Sequence, residues 1–185
     1  IGAWSTFGTF LYEGVVHLLI GLDHMLFLLV LVLPATLISH RQSNQTPNRP
    51  FKSRLLQLAG IVTAFTVAHS ITLALSALNI VRLPIAWVET VIALSIAVAA
   101  LNVAWPFLGR KTWKLAFAFG LIHGFGFASV LGDLTGGVSN LAVALAGFNL
   151  GVEFGQLGLL IIGFPLLYAL AHVRTYQRFI VPLIL

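Results

Sequence analysis

Of the 185 residues, 59% are apolar and 8% charged, against roughly 45–50% and about 25% in a soluble domain. Ten Lys and Arg with five Asp and Glu cannot clothe a water-soluble surface, and so much apolar surface is incompatible with disorder; the chain reads as an integral membrane protein. The absence of cysteine excludes disulfide scaffolds, thiolate metal sites and cysteine nucleophiles, and the net charge of +5 sits in short gaps between apolar runs, the pattern of membrane topology rather than nucleic-acid binding.

A spanning helix needs about 20 predominantly apolar residues. In chain order the spans are predicted at 14–39, 55–80, 84–107, 115–132 and 138–171, and 179–185 reads as the start of a sixth. The fold class is therefore all-α: one polytopic transmembrane helix bundle over 1–185. Pro84 suits the first turn of the third span. The segment 138–171 is long and glycine-rich, so it reads either as a tilted helix or as a re-entrant piece broken at Gly147 and Gly151. No basic n-region precedes the first apolar stretch, so a signal peptide is absent or already removed.

Basic residues set the orientation. Arg41, Arg49, Lys52 and Arg54 follow the first span, Arg110, Lys111 and Lys114 the third, and Arg174 and Arg178 the fifth. The alternate connections carry Arg82 alone or no basic residue. By the positive-inside rule the three basic loops are cytoplasmic and the N-terminus lies outside.

The ionisable residues inside the spans carry the functional argument. Each costs at least ~2.5–3.5 kcal/mol at a helix centre. Asp23, His24, His69, Glu89, His123 and Glu153 fall within predicted spans, with Glu13 and His17 near the outer end of the first; none of the ten basic residues does. Carboxylates and imidazoles without a basic partner are relieved by protonation or by a bound cation. At 100° per residue Glu13, His17 and His24 share one face of the first span, with Asp23 displaced by about 80–100°. Asp23 then flanks the site or orients a ligating His.

Thr66, His69, Thr72 and Ser76 form a polar stripe on the second span, read either as pore lining or as helix–helix hydrogen bonding. Asn149, Glu153 and Gln156 share a face of the fifth. Gly120 and Gly124 allow close helix approach beside His123, as Gly151 and Gly155 do around Glu153. Ala64-Phe-Thr-Val-Ala-His69-Ser faintly repeats as Ala118-Phe-Gly-Leu-Ile-His123-Gly, and Val88-Glu89 as Val152-Glu153; such a repeat would be parallel.

By depth, Glu13, His17 and Glu89 lie towards the outer face, and His24, His69, His123 and Glu153 nearer the middle. The expected metal-binding residues are thus His17, Asp23, His24, His69, Glu89, His123 and Glu153, with Glu13, Asn149 and Gln156 as polar support. Imidazole with carboxylate suits Ni²⁺, Co²⁺ or Zn²⁺. Copper(I) would want sulfur, and Mg²⁺ or Ca²⁺ an all-oxygen cage. The ion is expected as substrate, with no prosthetic group.

These residues also resemble the HupE/UreJ family of bacterial membrane proteins. The likeness rests on His17-x5-Asp23-His24, His69-Ser70-x-Thr72-Leu73, Val88-Glu89-x2-Ile92-Ala93-x-Ser95 with Asn102, Phe119-Gly-Leu-x-His123-Gly-Phe-Gly-Phe-Ala128, and Phe148-Asn149-x-Gly-Val-Glu153-x-Gly-Gln156. The resemblance implies about six or more spans, nickel-type metal uptake, and in some members a link to hydrogenase or urease gene clusters. Leu18 stands where the family's first motif usually has proline, and the final span is missing here.

Three functions follow as expectations. The first is a secondary permease admitting a divalent transition metal, since no nucleotide-binding signature is present. The second is an intramembrane zinc hydrolase, although the chain has no HExxH motif. The third is a proton-conducting or accessory subunit without a tight metal site. The partners expected are the metal ion and the lipid bilayer, with no nucleic acid; a homo-oligomer is compatible with the sequence. Whether the histidines serve one ion or two, and whether a coupling ion takes part, stays open at this level.

Overall fold

The computed structural model describes residues 2–41, 51–105, 107, 112–127 and 140–170. These form six helices and no strand: α1 (Ala3–Ile20), α2 (Leu22–Arg41), α3 (Phe51–Ala77), α4 (Ile85–Ala104), α5 (Thr112–His123) and α6 (Leu141–Leu170). The all-helical class is as the sequence predicts; the count of five spans is not established. Among the described residues, α3, α4 and α6 are each long and apolar enough to cross a bilayer, and α1 with α2 makes a fourth if the bent pair is one span. Residues 128–139 and 179–185, which carry the predicted end of the fourth span and the start of a sixth, lie outside the described residues.

The first predicted span is two helices. At Gly21 the backbone leaves helical geometry (φ −69°, ψ 98°), and the axes of α1 and α2 turn by 70°. The Gly21 amide still donates to His17 O at 2.9 Å, closing α1. A Cβ on residue 21 would lie 2.9 Å from His17 O and 3.0 Å from both Asp23 Oδ1 and His24 Nδ1. Only a residue without a side chain fits the bend, and the single helical face assumed for Glu13, His17 and His24 stops there.

Helix α5 is also shorter than predicted. Its 12 residues span about 18 Å, well under the ~30 Å hydrocarbon core. It closes at His123, where the Gly124 amide donates to Gly120 O at 3.1 Å and the Gly126 amide to His123 O at 3.0 Å. In contrast α6 runs unbroken for 30 residues, about 45 Å. The expected alternative of a break at Gly147 and Gly151 is overturned, because those glycines serve packing. A Cβ on Gly147 would lie 2.7 Å from Phe7 O, and one on Gly151 would meet Leu11 O and sit 3.1 Å from Gly14 Cα.

Two helix pairs are locked at this backbone distance. Along α1 and α6, Phe7 faces Gly147, Leu11 faces Gly151 and Leu18 faces Gly155. Along α3 and α5, Phe65 faces Gly120, and His69 and Thr72 face Gly124. Both numbers rise together in each pair, so each pair runs parallel, and small residues make the close approach possible. Exposed apolar side chains such as Trp87, Leu94, Ile161, Ile162 and Leu166 are what a lipid solvent accepts.

The interior is layered. One apolar cluster gathers Phe27, Phe65, Phe119, Leu160 and Phe164; the other gathers Phe10, Leu73, Phe148 and Val152. On α3 the clusters lie either side of His69, and on α6 either side of Gln156, so a polar level is held between them. Because the α1–α6 seam has no spare space, Gly151→Ala is expected to destabilise by about 1–3 kcal/mol. At Gly158 an added methyl group would have nothing within 4 Å, so Gly158→Ala should be neutral or gain up to ~1 kcal/mol. Thermal unfolding of the detergent-solubilised protein distinguishes the two.

Candidate metal centre

The polar level is built where helices end. α1 stops just after His17, α2 starts just before Asp23 and His24, and α5 stops at His123. The carboxyl ends of α1 and α5 each bring about half a negative charge, which favours a cation, while Asp23 complements the positive end of α2. His69 joins from the middle of α3. His24, His69 and His123 are buried, at 2%, 0% and 1% exposure; His17 is half-buried and the Asp23 side chain one-third exposed (34%).

The rings converge on His24. Ring centroids lie 4.8 Å away for His17, 5.8 Å for His69 and 5.5 Å for His123. Asp23 Oδ1 lies 3.2 Å from His24 Nδ1, and Oδ2 lies 3.8 Å from His123 Nδ1. Donor atoms from His17, His24 and His69 lie within 4.8 Å of one another, as do those from Asp23, His24 and His123. Among the described residues, four buried ring nitrogens have no hydrogen-bond partner: His17 Nε2, His24 Nε2, His69 Nε2 and His123 Nδ1. Leaving one such atom unsatisfied costs about 1–3 kcal/mol, so four together mark a place shaped for a ligand.

Two neighbours decide which nitrogen is free to bind. Asn149 Nδ2 donates to Leu145 O at 2.9 Å, which turns its Oδ1 towards His69 Nδ1 at 3.4 Å. His69 therefore carries its proton on Nδ1 and keeps the Nε2 lone pair. Ser95 Oγ donates to Ile92 O at 2.7 Å, so at 3.2 Å it accepts from His123 Nε2–H. That leaves the His123 Nδ1 lone pair facing Asp23. Outer contacts of this kind fix the tautomer and orientation of metal-binding histidines.

Of the expected ligands, His17, Asp23, His24, His69 and His123 are brought together. Glu89 is not in either donor set; it is exposed and lines a cavity of about 500 Å³ together with His17, Asp23, His24 and His123. Glu13 is half-buried on α1, one turn before His17, and in neither set. Glu153 also falls outside both sets: Thr63 Oγ1 donates to its Oε1 at 2.9 Å. Gln156 Oε1 accepts from Thr66 Oγ1 at 2.9 Å. The stripe Asn149, Glu153 and Gln156 does face the bundle, but it meets a matching ladder on α3, of which His69 alone belongs to the centre. Helical spacing identifies a face, not the depth at which that face meets its partner.

Sequence pattern assigned no role to Ser95 or to the aromatic walls. Phe127 packs on His17 with centroids 4.0 Å apart and stacks on Phe148 at 4.5 Å, while Phe65 stacks on His69 at 6.0 Å and on Phe27 at 4.9 Å. A signal was present: Phe65 and Phe119 each precede a site histidine by four residues, one helical turn, within the repeated stretches.

A family model described as HupE / UreJ protein matches residues 2–185. The chain belongs to the HupE / UreJ family. No curated protein and no solved structure gives a match. HupE / UreJ is a transporter-type family associated with nickel and cobalt rather than an enzyme family, and with these apolar helices its member is an integral membrane protein. In this HupE / UreJ chain the supporting contacts yield a measurable expectation. Ser95→Ala and Asn149→Ala should each weaken Co²⁺ affinity by up to about tenfold, whereas Glu153→Gln should leave it within a factor of about two, read by titration of the purified protein.

Proposed function

We propose that this protein is a secondary permease for a divalent transition-metal ion, Ni²⁺ or Co²⁺ by family kinship, inserted in a bacterial inner membrane with its N-terminus outside. One observation carries the reading: four imidazoles and one carboxylate converge, with four buried ring nitrogens unpartnered. Nitrogen and oxygen donors of this kind suit borderline divalent ions. The parallel pairing of α1 with α6 and of α3 with α5 supports the alternation of basic loops, by which the cavity-lining Glu89 would lie towards the outer face.

In this mechanism Glu89 draws the hydrated cation into the cavity, and Asp23 with His24 and His123 exchanges its water for protein donors. The aromatic rings around the histidines keep bulk water out, which strengthens the electrostatic attraction that remains. An inside-negative potential contributes about 2.3 kcal/mol per charge per 100 mV, doubled for a dication. Inward movement therefore needs no nucleotide.

Uptake of Ni²⁺, Co²⁺ and Zn²⁺ into proteoliposomes with an inside-negative potential tests this reading. The wild type should accumulate Ni²⁺ or Co²⁺, His24→Ala should abolish accumulation, and Glu89→Gln should lower the initial rate by about two- to tenfold. Stoichiometric binding of metal that never crosses would sink the permease and favour a fixed catalytic ion. Absence of binding would favour an accessory role.

A further inference from the structure

The donors of the centre fall into two triads rather than one shell. Asp23, His24 and His123 all line the cavity; in the second triad His17 and His24 line it too, but its third donor is His69, which is fully buried and does not. His69 and His123 belong to different triads, and His24 belongs to both. The triads also differ chemically. The first includes a carboxylate that is 34% exposed and can take a cation still carrying water. The second is three imidazoles beside Phe65, Phe127 and Phe148, where an ion must arrive largely stripped.

His24 offers two edges. Its Nδ1 lies 3.2 Å from Asp23 Oδ1, while its Nε2 is buried and unpartnered. A neutral imidazole has one lone pair, the other nitrogen carrying the proton, so His24 serves one triad at a time. Two dications a few ångströms apart in a low-dielectric interior would also repel strongly. We propose that the centre is a pair of overlapping positions for one divalent cation, a cavity-facing triad (Asp23, His24, His123) and a deeper triad (His17, His24, His69), filled in turn, with His24 passing the ion from Nδ1 to Nε2 as its proton moves from Nε2 to Nδ1, where Asp23 Oδ1 accepts the hydrogen bond. The proposal rests on the metal-transport reading above and adds the order of events: capture and partial dehydration at the carboxylate, then transfer to the all-imidazole position.

The test uses the full chain purified in detergent, with Co²⁺ as probe because its visible absorption reports the number and type of donors. The wild type should bind one Co²⁺ at saturation. His69→Gln and His123→Gln should each still bind one, with distinct spectra whose weighted sum reproduces the wild type. Handover requires the two positions to be within about tenfold in affinity, so losing the tighter position should cost about two- to elevenfold and losing the weaker about twofold or less, and neither variant should carry Co²⁺ into proteoliposomes.

Two Co²⁺ per wild-type chain would overturn the proposal, as would identical spectra in the two variants or losses above about a hundredfold in both, the mark of one shared shell. Should His69→Gln fail to purify, Asn149→Ala leaves His69 in place but unsupported. Its spectrum should then shift towards that of the cavity-facing triad, and an unchanged spectrum would count against the deeper position. Failure of the underlying reading looks different: His24→Gln would then bind Co²⁺ as the wild type does.

Discussion

Everything about this molecule turns on placing imidazole lone pairs where neither water nor a basic side chain can satisfy them. Hydrocarbon makes each such group expensive, and among the described residues no Lys or Arg lines the cavity around Asp23. The fold meets that demand by ending helices at the site. A continuous helix satisfies its own carbonyls, but α1 and α5 stop at His17 and His123, so the partial charge of two carboxyl ends is aimed at the same small volume. Irregular backbone of this kind is tolerated within a membrane where it is enclosed by protein or lines a cavity.

The close glycine seams follow from the same requirement. Two broken helices cannot hold a donor set by themselves, so each is clamped along its length to an unbroken partner, α1 to α6 and α5 to α3. The clamps use backbone contact rather than hydrophobic burial, since lipid offers no aversion to apolar side chains. Gly14, Gly147 and Gly151 on one seam, and Gly120 and Gly124 on the other, are places where a methyl group would strike a neighbouring carbonyl or helix.

Much of this was legible in the sequence, because hydropathy, charge asymmetry and the rarity of ionisable groups in lipid are properties of composition. The membrane class, the helical fold and the gathering of His17, Asp23, His24, His69 and His123 follow from these. What escaped the pattern is specific. A run of apolar residues does not reveal that Gly21 is a corner, since glycine is also common inside spanning helices. The short α5 was hidden because the residues after His123 remain apolar, and only the turn at Gly124–Phe127 closes the helix. Glu153 illustrates a deeper limit. Its face is correct, but the partner it meets, Thr63, depends on the register between α3 and α6, which no single-helix periodicity contains.

The aromatic rings around the histidines have a consequence for discrimination among ions. Magnesium is far more abundant in most waters than nickel or cobalt, yet it sheds its inner water reluctantly and prefers oxygen. On the permease reading proposed above, a last position with three imidazoles beside phenyl faces, and no replacement oxygen, would exclude such an ion by the sluggishness of its water exchange as much as by weak binding. Selectivity then resides in dryness. On that reading the phenylalanines, which bear no ligand atom, would act as a kinetic sieve beside the nitrogens that do.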